Sequence, residues 1–252
     1  MEFYRRNWIN TTSVLSASSA NSLTTYLFDR DRALQWQSDG EDDDANTATI
    51  EVTFDETTTV DRLAILNHNF KAFRMTYNGG TDFDPTISST NNSETSSLYK
   101  PTSVNATSVQ LHIDSTIVAD EEKALGQLIV SKLELDLEAS DRDPDAASYK
   151  PVKKRKEVLL EMSDGGFAQY VIDDKRQYQI KYSFLNTATV ESLEAIYDAK
   201  KEFLFVPFGT ISSWDAVIPE VIWTGDWMFD EFSDNNQGAG YTGKMDLKET
   251  AD

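Results

Sequence analysis

Apolar and polar residues alternate with a period of two along residues 49–54 (TIEVTF), the pattern of a strand with one face in water. Residues 62–66 (RLAIL) are more continuously apolar and predict a buried strand. Residues 73–77 run into Asn78-Gly79-Gly80, a turn signal because Asn and Gly tolerate positive φ. Residues 109–113 (VQLHI) and 128–137 (LIVSKLELDL) complete the set, and the Ser/Thr/Asn tract 88–97 reads as a long loop. Many short strands with polar connectors predict an all-β sandwich.

Between 138 and 156 (EASDRDPDAASYKPVKKRK) the alternation stops and Pro, Asp and Ala accumulate before a block of positive charge, which reads as a linker. Strand patterns return at 158–162 and 177–185 (QYQIKYSFL). Residues 187–200 then switch to helical spacing, with Val190, Leu193, Ile196 and Tyr197 on one face. Thr187 or Thr189 is the expected cap, with Glu191 and Glu194 well placed in the early turns. Further strands are expected at 203–208 (FLFVPF), 221–229 (VIWTGDWMF) and 241–247. Trp223 and Trp227 should share a face and pack against the helix. The expected plan is mainly β: a β-sandwich over 1–137, a linker over 138–156, and a β-rich domain with one helix over 157–252.

At 252 residues the chain fits two modest domains better than one, and 39% apolar with 11% aromatic residues is not the composition of a disordered chain. The absence of cysteine removes disulfides, thiolate metal sites and cysteine nucleophiles, and fits synthesis in a reducing cytoplasm. The opening residues MEFYRRNWIN hold no apolar signal core, and no apolar run approaches the ~18 residues of a membrane span, so membrane insertion is not expected. The formal charge of −20 repels phosphate, which argues against tight nucleic-acid binding. Sequons beginning at Asn10, Asn91 and Asn105 are expected by chance in so Ser/Thr-rich a chain.

The only histidines are His68, in RLAILNHNF, and His112. Neither stands near a recognisable nucleophile, and G-x-S-x-G, H-E-x-x-H, Walker and G-x-G-x-x-G motifs are all missing. Both histidines therefore read as architecture, His68 at a strand end or binding rim. Paired carboxylates can cleave glycosidic bonds, but nothing selects a pair among so many, and the reading is not an enzyme. In SDGEDDDAN (38–46), Asp39, Glu41 and Asp43 alternate as oxygen ligands of a calcium ion would, although the Gly and Glu of an EF-hand loop are missing. The alternative is a solvated acidic loop, and no other cofactor is indicated. The basic run KPVKKRK at 150–156 holds Lys153, Lys154, Arg155 and Lys156, which in an acidic chain suit contact with a neighbouring subunit.

The ordered segments NWINTTSVLSASS (7–19), LFDRDRALQWQS (27–38), TIEVTF, VDRLAILNHNF and ALGQLIVSKLEL (124–135) resemble the discoidin-like, galactose-binding β-sandwich of tailed-phage virion proteins. That resemblance covers about residues 1–137 and implies a jelly-roll sandwich in which the segment from Asp31, or from Asp29, to Trp36 carries Trp36 into the core. The second half, YQIKYSFLNTATVESLEAIYDAKK with FLFVPF, W-x-G-D and a last alternating strand, looks like the tail-tube-like fold of distal and minor tail proteins. Together these imply a ring-forming structural protein of a phage tail tip or baseplate, trimeric or hexameric, made in the host cytoplasm and contacting other tail proteins while DNA passes through. The domain order departs from the commonest distal tail plan, in which the ring domain comes first. The competing expectation is a glycan-binding adhesin module of a tail or cell-surface assembly, holding host sugar through Tyr26, Arg30, His68, Asn69 and Asn78.

Overall fold

The computed structural model describes residues 1–29, 34–39, 44–137, 150–162, 166–207, 218–234 and 238–250. In chain order the strands begin with β1 (Glu2–Tyr4) and β2 (Val14–Ala17), followed by a 3-10 helix (Asn21–Leu27). Next come β3 (Trp36–Gln37), β4 (Ala48–Val60), β5 (Arg62–His68), β6 (Phe70–Tyr77), β7 (Thr81–Ser89), β8 (Ser97–Tyr99), β9 (Val104–Thr116), β10 (Ala124–Ser131) and β11 (Leu133–Asp136). The remainder is β12 (Lys150–Glu161), β13 (Phe167–Leu185), α1 (Thr187–Ala199), β14 (Phe203–Val206), β15 (Glu220–Asp234) and β16 (Gly238–Glu249).

The chain divides into two compact units. Within Tyr4–Glu134, a four-stranded sheet ordered β3-β10-β5-β8 and a five-stranded sheet ordered β2-β4-β9-β6-β7 enclose one apolar core. This is the expected sandwich, and all seven neighbouring strand pairs in its two sheets are antiparallel. Along β4 the alternation does what it predicts: Ile50, Val52 and Phe54 are buried while Thr49, Glu51 and Thr53 are not. Leu63 and Ile65 of β5 enter the core, and Trp36 is fully buried within it.

Two elements of the sandwich lack a clean sequence signal. β7 carries Pro85 and buries only Phe83 and Ile87, and its last residues lie in the tract expected to be a loop. It stands at the edge of its sheet, where a missing N–H costs no ladder bond. β8 adds three half-buried residues to the edge of the other sheet.

The second unit is built on a seven-stranded sheet ordered β11-β1-β14-β15-β16-β13-β12. Its core includes Met1, Phe3, Tyr178, Ile180, Tyr182, Leu193, Phe205 and Met245. Here the expected domain boundaries change. Met1 and Phe3 are fully buried, and the Phe3 ring lies 5.6 Å from both Phe203 and Phe205. The start of the chain therefore belongs to this sheet, and the sandwich is inserted after it. A three-residue strand is too short for periodicity to reveal. The run 128–137 likewise splits into β10 and β11, which belong to different sheets. Asp61 accepts the N–H of Leu133 at the break.

The expected linker 138–156 is shortened, because its last residues form β12, paired in register with β13 from Lys150↔Gln179 onward. The Lys/Arg run hides the strand because an edge strand is free to carry cations, which also discourage unwanted pairing. Residues 138–149 lie outside the described residues.

Helix α1 spans 187–199, as its spacing predicts, and Lys200 closes it in the left-handed region at φ 50°. The cap differs from expectation. Asn186, in extended conformation, accepts the Thr189 N–H at 2.8 Å, so Thr189 is the capped residue rather than the cap. Val190 and Leu193 are buried, and Tyr197 stands 5.4 Å from both Trp223 and Trp227. The tryptophan pair packs beneath the helix as expected, although β15 shifts register between Thr224 and Met228, with Gly225 at φ 85°.

Removing the Phe3 ring leaves a void between two other phenylalanines, so Phe3→Ala should destabilise the sheet unit by about 3–5 kcal/mol. Native-state hydrogen exchange should show β14 and β15 amides losing protection while β5 and β9 amides keep theirs.

A candidate recognition rim on the sandwich

β5 and β10 pair from Leu125↔His68 at one end to Ser131↔Arg62 at the other. The segment Tyr4–Glu134 enters and leaves the sandwich at the Arg62 end, where the Arg5 N–H donates to the Lys132 carbonyl at 2.8 Å. The described loop residues at the His68 end, 38–39, 44–47, 67–69, 90–96 and 117–123, thus lie about 20 Å away, six strand residues on, and form a rim at that end of the sandwich.

Side chains that substitute for backbone partners hold this rim. Asn69 accepts the Ala124 N–H at 2.9 Å and donates to the Glu122 carbonyl at 2.8 Å. Asn92 donates to the carbonyls of Phe70 and Glu94, at 2.8 and 2.6 Å. Asp44 accepts both the N–H and the hydroxyl of Thr116, at 3.0 and 3.1 Å. Ser38 binds the Lys123 backbone in both directions, its N–H to the carbonyl and its Oγ from the N–H. Short polar side chains favour such local bonding, and each bond restricts a loop that lacks a ladder of its own.

His68 lies inside this rim, only 3% exposed, its ring stacked on Phe70 at 4.8 Å and edge-on to Phe73 at 5.9 Å. Nδ1 accepts the Phe70 N–H at 3.1 Å, which places the proton of the neutral ring on Nε2. Nε2 has no hydrogen-bond partner among the described residues. Burial lowers its pKa from 6.5 to about 4, since an apolar pocket disfavours imidazolium. A neutral, buried ring with one nitrogen committed to the backbone is architecture, in agreement with the sequence reading. Asn67 precedes it at φ 54°, opposite Gly126, where an added Cβ would stand 2.9 Å from Asn67 Cβ.

Among the described residues expected to hold sugar, Asn78 stands apart from His68 and Asn69. His68 ends β5 and Asn69 immediately precedes β6, whereas Asn78 follows the far end of β6, about 26 Å away along an eight-residue strand. Asn78, at φ 46°, accepts the N–H and hydroxyl of Thr107 and donates to the Asn105 carbonyl, so it secures a turn. Tyr26 is half-buried in the 3-10 helix, and Arg30 lies outside the described residues. Of the calcium set, Asp39 is exposed, and Glu41 and Asp43 lie outside the described residues. No group of three metal-ligating side chains occurs among the described residues. The acidic run does contribute one structural carboxylate the sequence reading missed, Asp44. Lys153, Lys154, Arg155 and Lys156 are described by their backbone placement in β12 alone.

No family model and no curated protein matches the chain. Among solved structures, chitosan-binding module 1 of a chitosanase/glucanase from Paenibacillus sp. IK-5 is similar at 19% identity and TM-score 0.40, covering 50% of this chain and 98% of that one. Chitosan-binding module 2 of the same enzyme, solved with chitotriose, matches at 16% identity and TM-score 0.40, covering 47% and 95%. The family 32 carbohydrate-binding module of NanJ from C. perfringens, in complex with galactose, matches at 15% identity and TM-score 0.38, covering 48% and 93%. Likeness at this level assigns no ligand. The class is defined by the chain's own sheets: a mainly β protein of two units, one an antiparallel sandwich.

Two outcomes test this construction. The folded pKa of His68 lies below the ordinary value, so as pH falls the unfolded chain takes up the proton first. The stability held by the neutral ring is whole above about pH 6.5 and is lost between about 6.5 and 4, up to about 3 kcal/mol. Urea unfolding across this window, with the His68 ring followed by NMR, should show that loss and no ring titration until about pH 4. Gly126→Ala should press on Asn67 and cost about 1–3 kcal/mol in the same assay.

Proposed function

We propose that the chain is a non-catalytic glycan-binding module of a tail or cell-surface assembly, in which the sandwich meets the ligand and the seven-stranded unit attaches it. The observation that carries this reading is the rim: loops at the end remote from both chain connections, held in shape by Asn69, Asn92 and Asp44. Binding loops on a rigid scaffold are a common way for folds to carry recognition. Exposed Asn46, Thr47, Asn67, Asn91, Ser93 and Thr95 offer neutral donors and acceptors suited to sugar hydroxyls. Exposed Asp39, Glu94, Asp120, Glu121 and Glu122 repel anions. The ligand class is accordingly a neutral or amino sugar rather than a sialylated or phosphorylated one.

A second reading, supported by the open edges of the seven-stranded sheet, is a phage tail structural protein. In it the chain forms a trimeric or hexameric ring within the virion, joined to other tail proteins, and the sandwich faces a host surface glycan.

A glycan array offering neutral, amino and acidic sugars tests the first reading. The wild type should bind in the neutral or amino set. Ser93→Trp with Thr95→Trp should abolish binding without moving the urea midpoint. Binding to none of the sugars removes the glycan role.

A further inference from the structure

The strand pair β12–β13 outruns its sheet. β13 pairs with β16 only from Gln177 to Leu185, while β12 pairs with β13 along its whole length to Glu161↔Phe167. Beyond Arg176 the two strands therefore form a two-stranded ribbon, and an isolated ribbon of this kind is marginally stable in water. Its described end is apolar. Leu160, Met162 and Phe167 are 51%, 50% and 71% exposed, and Phe167 is the most exposed large apolar side chain among the described residues. Phe167 stands opposite Glu161, so strand alternation puts it on the face away from Leu160. Apolar groups on both faces suit insertion into a partner better than lying flat upon one.

Charge identifies the partner. The ribbon and its base, residues 150–161 and 167–176, carry seven cations against four anions, whereas the rest of the chain carries 16 against 39. By register Lys153 stands opposite Arg176 and Lys154 opposite Lys175, while Arg155 and Lys156 stand opposite Asp174 and Asp173. A basic element with an apolar end thus belongs to a strongly acidic protein. We propose that the ribbon docks on the acidic surface of a second copy of this chain, with Leu160, Met162 and Phe167 buried at the contact. Two lysine-rich β12 edges repel one another, which disfavours a two-fold pairing of like edges. The contact is then heterologous, ribbon of one copy to acidic surface of the next, and a heterologous contact with the right rotation closes a ring.

This deepens the attachment half of the proposed function and is independent of what the rim binds. Sedimentation equilibrium of the full chain, against Leu160→Ser/Met162→Ser/Phe167→Ser, tests it. The wild type should self-associate above its 28.4 kDa monomer mass, more weakly as salt is raised. The triple variant, altered only at exposed positions, should keep the far-UV spectrum and associate about tenfold or more weakly. A wild type that stays monomeric at its highest soluble concentration, or a variant that associates as the wild type does, overturns the proposal. A monomer that still binds sugar would sink this contact and leave the glycan reading standing.

Discussion

Placement of β1 between β11 and β14 is the constraint on which the remaining architecture depends. The seven-stranded sheet is incomplete until residues on either side of the sandwich come together, and Met1 and Phe3 are buried only in that arrangement. The entropy of closing so long an intervening segment grows only with the logarithm of its length, and a segment that folds by its own core loses still less. The sandwich supplies such a core, and its two ends are held side by side by the bond from Arg5 to Lys132. Within the sandwich the entry and exit of residues 4–134 thus stand at one end and the rim loops at the other.

The rim depends on a different force. Its loops have little sheet to pair with, yet backbone groups near the core still require partners. Asn69, Asn92 and Asp44 meet that need, together with Ser38, in a region where water competes for many of the same groups. His68 adds an aromatic face against Phe70 and Phe73 and commits Nδ1 to the chain. A conspicuous histidine flanked by asparagines is therefore a support for the rim loops, and on the proposed reading sugar contact falls to the exposed neutral residues around it.

The basic composition of the β12–β13 ribbon stands out against an acidic remainder. Excess negative charge keeps copies apart in general, and on the proposed contact the cationic, apolar-ended ribbon is the directional exception. Cations on an edge strand also discourage it from pairing with its own kind.

Sequence by itself determined the local elements whose signal is repeated over several residues. Alternation in TIEVTF located the first half of β4, though not its extent to Val60, and the continuous run RLAIL marked β5. Helical spacing gave α1 within one residue of its end and its aromatic seat on Trp223 and Trp227. Mainly β character, and the structural nature of His68, were legible in the same way. Tertiary structure alone decided where β1 and β11 belong, because strands of three or four residues carry too little periodicity to name a sheet. It alone turned the cationic run into a strand, since edge strands are not obliged to be apolar. It also separated Asn69 from Asn78, which look alike in sequence, each near an end of the same strand, and stand at opposite ends of the sandwich because β6 runs its length between them.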